Sequence, residues 1–72
     1  MKKSKYDIGR TVEIEDLGKI TATGSALNSI SIILMETAIL NQKQGYETVA
    51  NLRGRQSKQI YAALAKTGFY KD

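Results

Sequence analysis

Seventy-two residues allow one domain, and a chain of this size buries only about 60% of its unfolded surface on folding. With no Cys and no His, neither disulfides nor a zinc site built on those residues can supply the missing stability, which leaves close packing or self-association. Eleven Lys and Arg against seven Asp and Glu give a net charge of +4, which suits an anionic partner such as nucleic acid and equally suits a plain solvated surface.

The positive charge is concentrated at the two ends. Lys2, Lys3, Lys5 and Arg10 open the chain, and Arg53, Arg55, Lys58, Lys66 and Lys71 crowd its last third. No apolar run follows the basic start, so it does not read as a secretion signal. The most apolar stretch, Ile30 to Leu40, spans eleven residues, well short of the roughly 20 needed to cross a bilayer. A soluble, cytoplasmic protein without a membrane partner is expected, and the absence of cysteine is consistent with a reducing compartment.

Taken in chain order, residues 1–6 have the composition of a flexible basic tail. The period then becomes two. Val12 and Ile14 fall on one face of a first strand, and Ile20 and Ala22 on one face of a second. Glu15-Asp16-Leu17-Gly18 between them reads as a turn, with Gly18 free to adopt positive φ, so a β-hairpin is predicted. A lone hairpin is not stable in water and needs an apolar surface to lie on.

Ser25 can cap a helix running from Ala26 to Gln44. Leu27, Ile30, Leu34, Ala38 and Asn41 form its main stripe, with Ile33, Thr37 and Leu40 widening it. Ile32, Met35 and Ile39 carry apolar surface round to other faces. Gly45 stands where a C-terminal cap glycine belongs. The β-branched content of Ser29 to Met35 leaves a strand there as the rival reading. A helix this apolar has more surface than one hairpin and two short helices can readily cover, so Ile32, Met35 and Ile39 are candidate homodimer contacts. The alternative is a central helix wrapped on all sides by its own chain.

The last third reads as a helix over Glu47 to Leu52, a turn at Arg53 to Gln56 and a second helix from Ser57, its cap, to Lys66. The reason is a run of seven residues from Arg53 to Gln59 with no apolar side chain and a glycine inside it, where an amphipathic helix would place an apolar residue every three or four positions. Thr67-Gly68 ends the second helix. Phe69 is placed to fold back on the last turn, so Phe69 and Tyr70 are expected to be docked.

This segment resembles the helix-turn-helix superfamily of DNA-binding proteins over roughly residues 46–65. Val49-Ala50 takes the place of the apolar-alanine pair of its first helix, Gly54 that of the turn glycine, and Ile60 and Leu64 the buried side of the second helix. Arg53 and Arg55 stand where that pattern has apolar residues. The resemblance implies a second helix lying in the major groove. Gln56, Ser57, Lys58 and Gln59 would then face the base edges, and Arg53 and Arg55 would hold phosphates. The basic arm of Lys2, Lys3 and Lys5 could follow a neighbouring groove, or serve only as a solubilising terminus.

The fold expected is therefore α+β: an N-terminal β-hairpin, one long apolar helix and a C-terminal helix-turn-helix-like pair in a single domain. The corresponding function is that of a small dimeric DNA-binding regulator acting on duplex DNA. The alternative is a small inhibitor or adaptor of the kind mobile genetic elements encode, docking on a larger protein. Catalysis is not expected, because the usual nucleophile–base pairs cannot be built without His or Cys. Glu13, Glu15 and Asp16 are ordinary strand-and-turn polarity before they are a metal site. No cofactor is implied.

Overall fold

The computed structural model describes residues 4–71. Two strands, β1 (Gly9–Ile14) and β2 (Gly18–Thr23), are followed by two helices, α1 (Gly24–Lys43) and α2 (Glu47–Lys66). The α+β order is the one expected, and no described helix is long and apolar enough to cross a membrane.

The strands pair antiparallel with Val12 opposite Ile20 and Arg10 opposite Ala22. Alternation turns Val12 and Ile14 inward, where both are buried, and leaves Thr11 and Thr21 outside with their hydroxyls 2.7 Å apart. The turn closes through the Leu17 amide, which donates to the Ile14 carbonyl at 3.1 Å. Asp16 at φ 69° and Gly18 at φ 79° carry its left-handed residues. Asp is among the few side chains that tolerate that region.

Helix α1 starts two residues before the predicted boundary, and Ser25 is not its cap. Thr23 is, with its hydroxyl accepting the Ala26 amide at 3.1 Å. The amides of Gly24 and Ser25 donate instead to the carbonyls of Ile8 (3.1 Å) and Tyr6 (2.9 Å), which ties the helix start to the chain entering β1. Gly24 is buried beneath Phe69, and a β-carbon there would lie 2.8 Å from the ring. At the other end Gly45 takes φ 87°. The Gly45 amide reaches Gln42 and the Tyr46 amide reaches Asn41, the paired bonds of a glycine-terminated helix. The strand alternative for residues 29–35 is excluded.

Helix α2 departs from expectation. It runs unbroken for 20 residues through Gly54, so the predicted turn at Arg53–Gln56 does not form and Ser57 lies mid-helix instead of capping one. The polar run reads as a solvated gap in sequence, yet Gln56 and Ser57 are buried and find tertiary partners. A glycine in a helix interior costs about 1 kcal/mol relative to Ala, too little to break a helix packed along its length. A β-carbon on Gly54 would meet no atom within 4 Å. Gly54→Ala is therefore expected to stabilise the protein by about 0.5–1 kcal/mol, seen as a raised thermal midpoint in circular dichroism. A destabilised variant would indicate a bend at this position.

The end of α2 follows the sequence reading. Gly68 takes φ 78°, the Phe69 amide returns to the Leu64 carbonyl at 3.2 Å, and Phe69 is buried. Tyr70 stacks on Tyr61 with centroids 4.8 Å apart and donates its hydroxyl to Asn28 at 2.7 Å. The basic tail expected over residues 1–6 does not extend to Tyr6, whose ring meets Phe69 edge-on at 5.3 Å. Lys5 donates its ammonium to the Lys71 carbonyl. Lys2 and Lys3 lie outside the described residues.

The apolar core is concentrated at one end of a molecule measuring 48 × 24 × 16 Å. Val12, Ile14, Leu27, Ile60, Leu64 and Phe69 form it, where hairpin and both helices meet. Beyond Leu34 on α1 and before Gln56 on α2, the buried residues are Ala38 and Ala50 alone. The two helices thus extend past the hairpin as an arm with little inside it.

Candidate functional site

Of the residues predicted to meet nucleic acid, Arg55, Gln56 and Gln59 converge on the hairpin turn. Arg55 grips Glu15 with a forked pair of bonds, Nε to Oε1 and Nη2 to Oε2, both 2.9 Å. Gln59 accepts the Glu15 amide at 2.8 Å. Gln56 donates from Nε2 to the Glu15 carbonyl at 2.8 Å. Arg53 in turn donates from Nη1 to the Gln56 side-chain oxygen at 2.8 Å. Positions 55, 56 and 59 share the side of α2 that passes the turn, so three side chains close on one residue of the hairpin. Arg53 braces Gln56 from one helical turn earlier.

Ser57 faces α1. Its hydroxyl donates to the Ser31 carbonyl at 2.7 Å, and the Ser31 hydroxyl lies 3.1 Å from both the carbonyl and the hydroxyl of Ser57. Both serines are buried, and this exchange satisfies polar groups that would otherwise destabilise the helix contact. Of the six predicted base- and phosphate-contacting residues, Arg53, Arg55, Gln56, Ser57 and Gln59 are engaged within the chain, as described above. Lys58, which is exposed, is the one of the six that makes no hydrogen bond or ion pair among the described residues. The helix start predicted at Ser57 does not form, because α2 begins ten residues earlier, at Glu47.

The two N–H donors and positive charge of Arg55 hold the Glu15 carboxyl below its ordinary value, against partial desolvation, and Glu15 raises Arg55 in return. Since the folded-state pKa of Glu15 is depressed, its contribution to stability is present above the unfolded value and is lost as pH falls through the folded one. Arg55 stays protonated throughout. Both side chains are about half exposed, so salt weakens the pair.

The other candidate surface lies on α1, on the side turned away from the core. Leu27, Ser31 and Ala38 are buried, with Ile30 and Leu34 partly so. Opposite them, Ile32, Ile33, Ile39 and Leu40 stand in solvent, with Ile33 and Leu40 the most open at 60% and 57% exposed. Of the predicted dimer contacts, Ile32 and Ile39 are on this face. Met35 is only partly exposed and lies in the groove between the helices, with Ala50, Gly54 and Lys58.

Ile33 and Leu40 were expected to widen the buried stripe and do not. Helix α2 packs on the side of α1 that carries Leu27 and Ser31, so burial is turned away from them. The sequence signal that could have found them was the pair of heptad spacings, Ile32/Ile39 and Ile33/Leu40. Such spacings mark a contact seam.

Between these pairs stand Glu36 and Lys43, and a shallow open depression is lined by Ile33, Glu36, Thr37, Ile39, Leu40 and Lys43. Glu36 and Lys43 form no ion pair within the described residues. Along the same face toward the N-terminus, Ser25 and Ser29 replace the aliphatic side chains, so the apolar patch has a polar boundary. No group of three or more metal-ligating side chains occurs among the described residues. The chain matches no protein family, no curated protein and no solved structure.

Proposed function

We propose that this chain is a small protein-binding module of the adaptor or inhibitor type, acting by contact and without catalysis, with the outer face of α1 as its working surface. The supporting observation is the row of aliphatic side chains held in solvent opposite the core. A helix apolar on both sides is normally covered on both sides, and contiguous exposed apolar surface on a small soluble domain marks an interaction site. The arm formed by α1 and α2 beyond the hairpin, with only alanines buried inside it, places that surface where a partner can reach it.

Site-specific photo-cross-linking in living cells tests this. A benzophenone side chain at Leu40 is expected to give a discrete protein adduct that disappears when Ile33 is replaced by Asp, while the same probe at Glu13, on the outer side of β1, gives none. Equal adducts at both positions, or none at Leu40, would overturn the reading.

Duplex-DNA binding by a dimeric regulator is a second reading, favoured by the net charge of +4 and the unpaired Lys58. With Arg55, Gln56, Ser57 and Gln59 engaged inside the chain, it now relies on phosphate contacts, which carry little sequence preference. Mobility shift at low and moderate salt, with Lys58→Ala beside the parent, is its measurement. Retention that is indifferent to salt would exclude it.

A further inference from the structure

We propose that the occupant of the outer face of α1 is a second copy of the same chain, paired antiparallel about a two-fold axis that passes beside Ile39 and Leu40. The inference rests on the reading of that face as the working surface and names its partner. In an antiparallel two-fold pair, residues opposite one another lie at equal distances on either side of the axis. An axis between positions 39 and 40 therefore sets Ile39 against Leu40 of the other copy and, three residues further out on each side, Glu36 against Lys43. The apolar pair sits at the centre, and the only charges on the patch meet as opposites, twice, because the interface is isologous.

The charges discriminate against the alternatives. A parallel, in-register pair would face Glu36 with Glu36 and Lys43 with Lys43. An antiparallel pair centred on Glu36 would bring all the aliphatic side chains together, yet would place two carboxylates on the axis itself. Like charges directly opposed in an interface weaken it strongly and select against the wrong register. Among the described residues Glu36 and Lys43 make no ion pair, which leaves both to meet the second copy.

Two sets of half-exposed aliphatic side chains make an interface at or below the roughly 1,200 Å² lower bound of stable complexes. Association of this kind is weak and reversible, so it is sought over a wide range of concentration.

Sedimentation equilibrium of the full chain from about 1 µM to about 1 mM, a range that covers weak association, provides the test. The parent protein is expected to pass from monomer to dimer and stop there. Glu36→Lys alone and Lys43→Glu alone should each weaken the dimer about tenfold or more, since each creates two like-charge contacts. The double variant E36K/K43E restores the pairs with signs exchanged and should return the constant to within about threefold of the parent. All these positions are exposed on a helix, and far-ultraviolet circular dichroism verifies folding of each variant.

A parent that stays monomeric across the range overturns the second copy as occupant and leaves the protein-binding reading to the cross-linking result. A dimer dispersed by Ile33→Asp with Leu40→Asp, yet indifferent to the charge exchanges, overturns this register and keeps the face. A dimer indifferent to every one of these variants overturns both.

Discussion

Ile60→Ala is expected to destabilise the protein by about 3–4 kcal/mol, the range for truncating a fully buried branched side chain to Ala. Ile60 is fully buried and belongs to the cluster in which Val12 and Ile14 of the hairpin, Leu27 of α1 and Leu64 of α2 meet. Removing three carbons there takes contacts from each element at once. The surrounding elements cannot close the space without moving the hairpin off α2. Domains of this size have total stabilities near the low end of about 5–15 kcal/mol, so the variant should keep only about 1–2 kcal/mol and be roughly 3–15% unfolded at 25 °C. Urea denaturation followed by circular dichroism measures it, with Ile33→Ala as the matched control. The same side-chain change on the open face of α1 is expected to alter stability by no more than about 0.5 kcal/mol. Similar losses at the two positions would mean that the core is not where the structure places it.

Gln56→Ala should cost about 2 kcal/mol, an effect large for a polar residue in the middle of a basic run. Gln56 is fully buried, donates to the Glu15 carbonyl and accepts from Arg53. Truncation removes both bonds and leaves a void beside a carbonyl and a guanidinium that lose their partner. Gln56→Leu restores most of the volume and should recover only part of the loss, which separates the packing contribution from the polar one. The result also bears on function. A glutamine serving as a base reader would be free in the absence of DNA, and its truncation would leave the unfolding midpoint unchanged. A shifted midpoint with parallel changes in Arg53→Ala and Glu15→Ala would identify it as a brace for the hairpin turn.

How far this fold could be read in advance depended on whether a signal was local. Gly18, Gly45 and Gly68 all occupy left-handed positions, and each end or turn they mark stands where the sequence put it, because a positive φ is a property of one residue and its neighbours. The alternation of Val12, Ile14, Ile20 and Ala22 was equally local. Helix α2 was not. Its polar run from Arg53 to Gln59 looks solvated until Glu15 and Ser31 are brought beside it from 41 and 26 residues away. Apolar periodicity has no way to mark a buried polar side chain whose partner is distant in sequence. The outer face of α1 lies between these cases. Its excess of apolar residues was evident, and Ile32 and Ile39 were placed on it, but the choice between Met35 and the Ile33/Leu40 pair depended on which side α2 would take. On that side Leu27 meets Ile60 and Leu64, and Ser31 and Ser57 exchange hydrogen bonds.

The alanine-only seam between the far ends of α1 and α2 has a dynamic consequence. Ala38 and Ala50 bury little area compared with the Leu and Ile of the hairpin end, so the connection around Gly45 is the least anchored part of the helical pair and opens at a lower free energy than the whole domain. Opening is expected to begin at that tip and to be resisted where Ser31 and Ser57 exchange hydrogen bonds, giving the chain a hinged clothes-peg character. Whatever covers the outer side of α1 would therefore add order beyond its own footprint, because holding one jaw still also quiets the other.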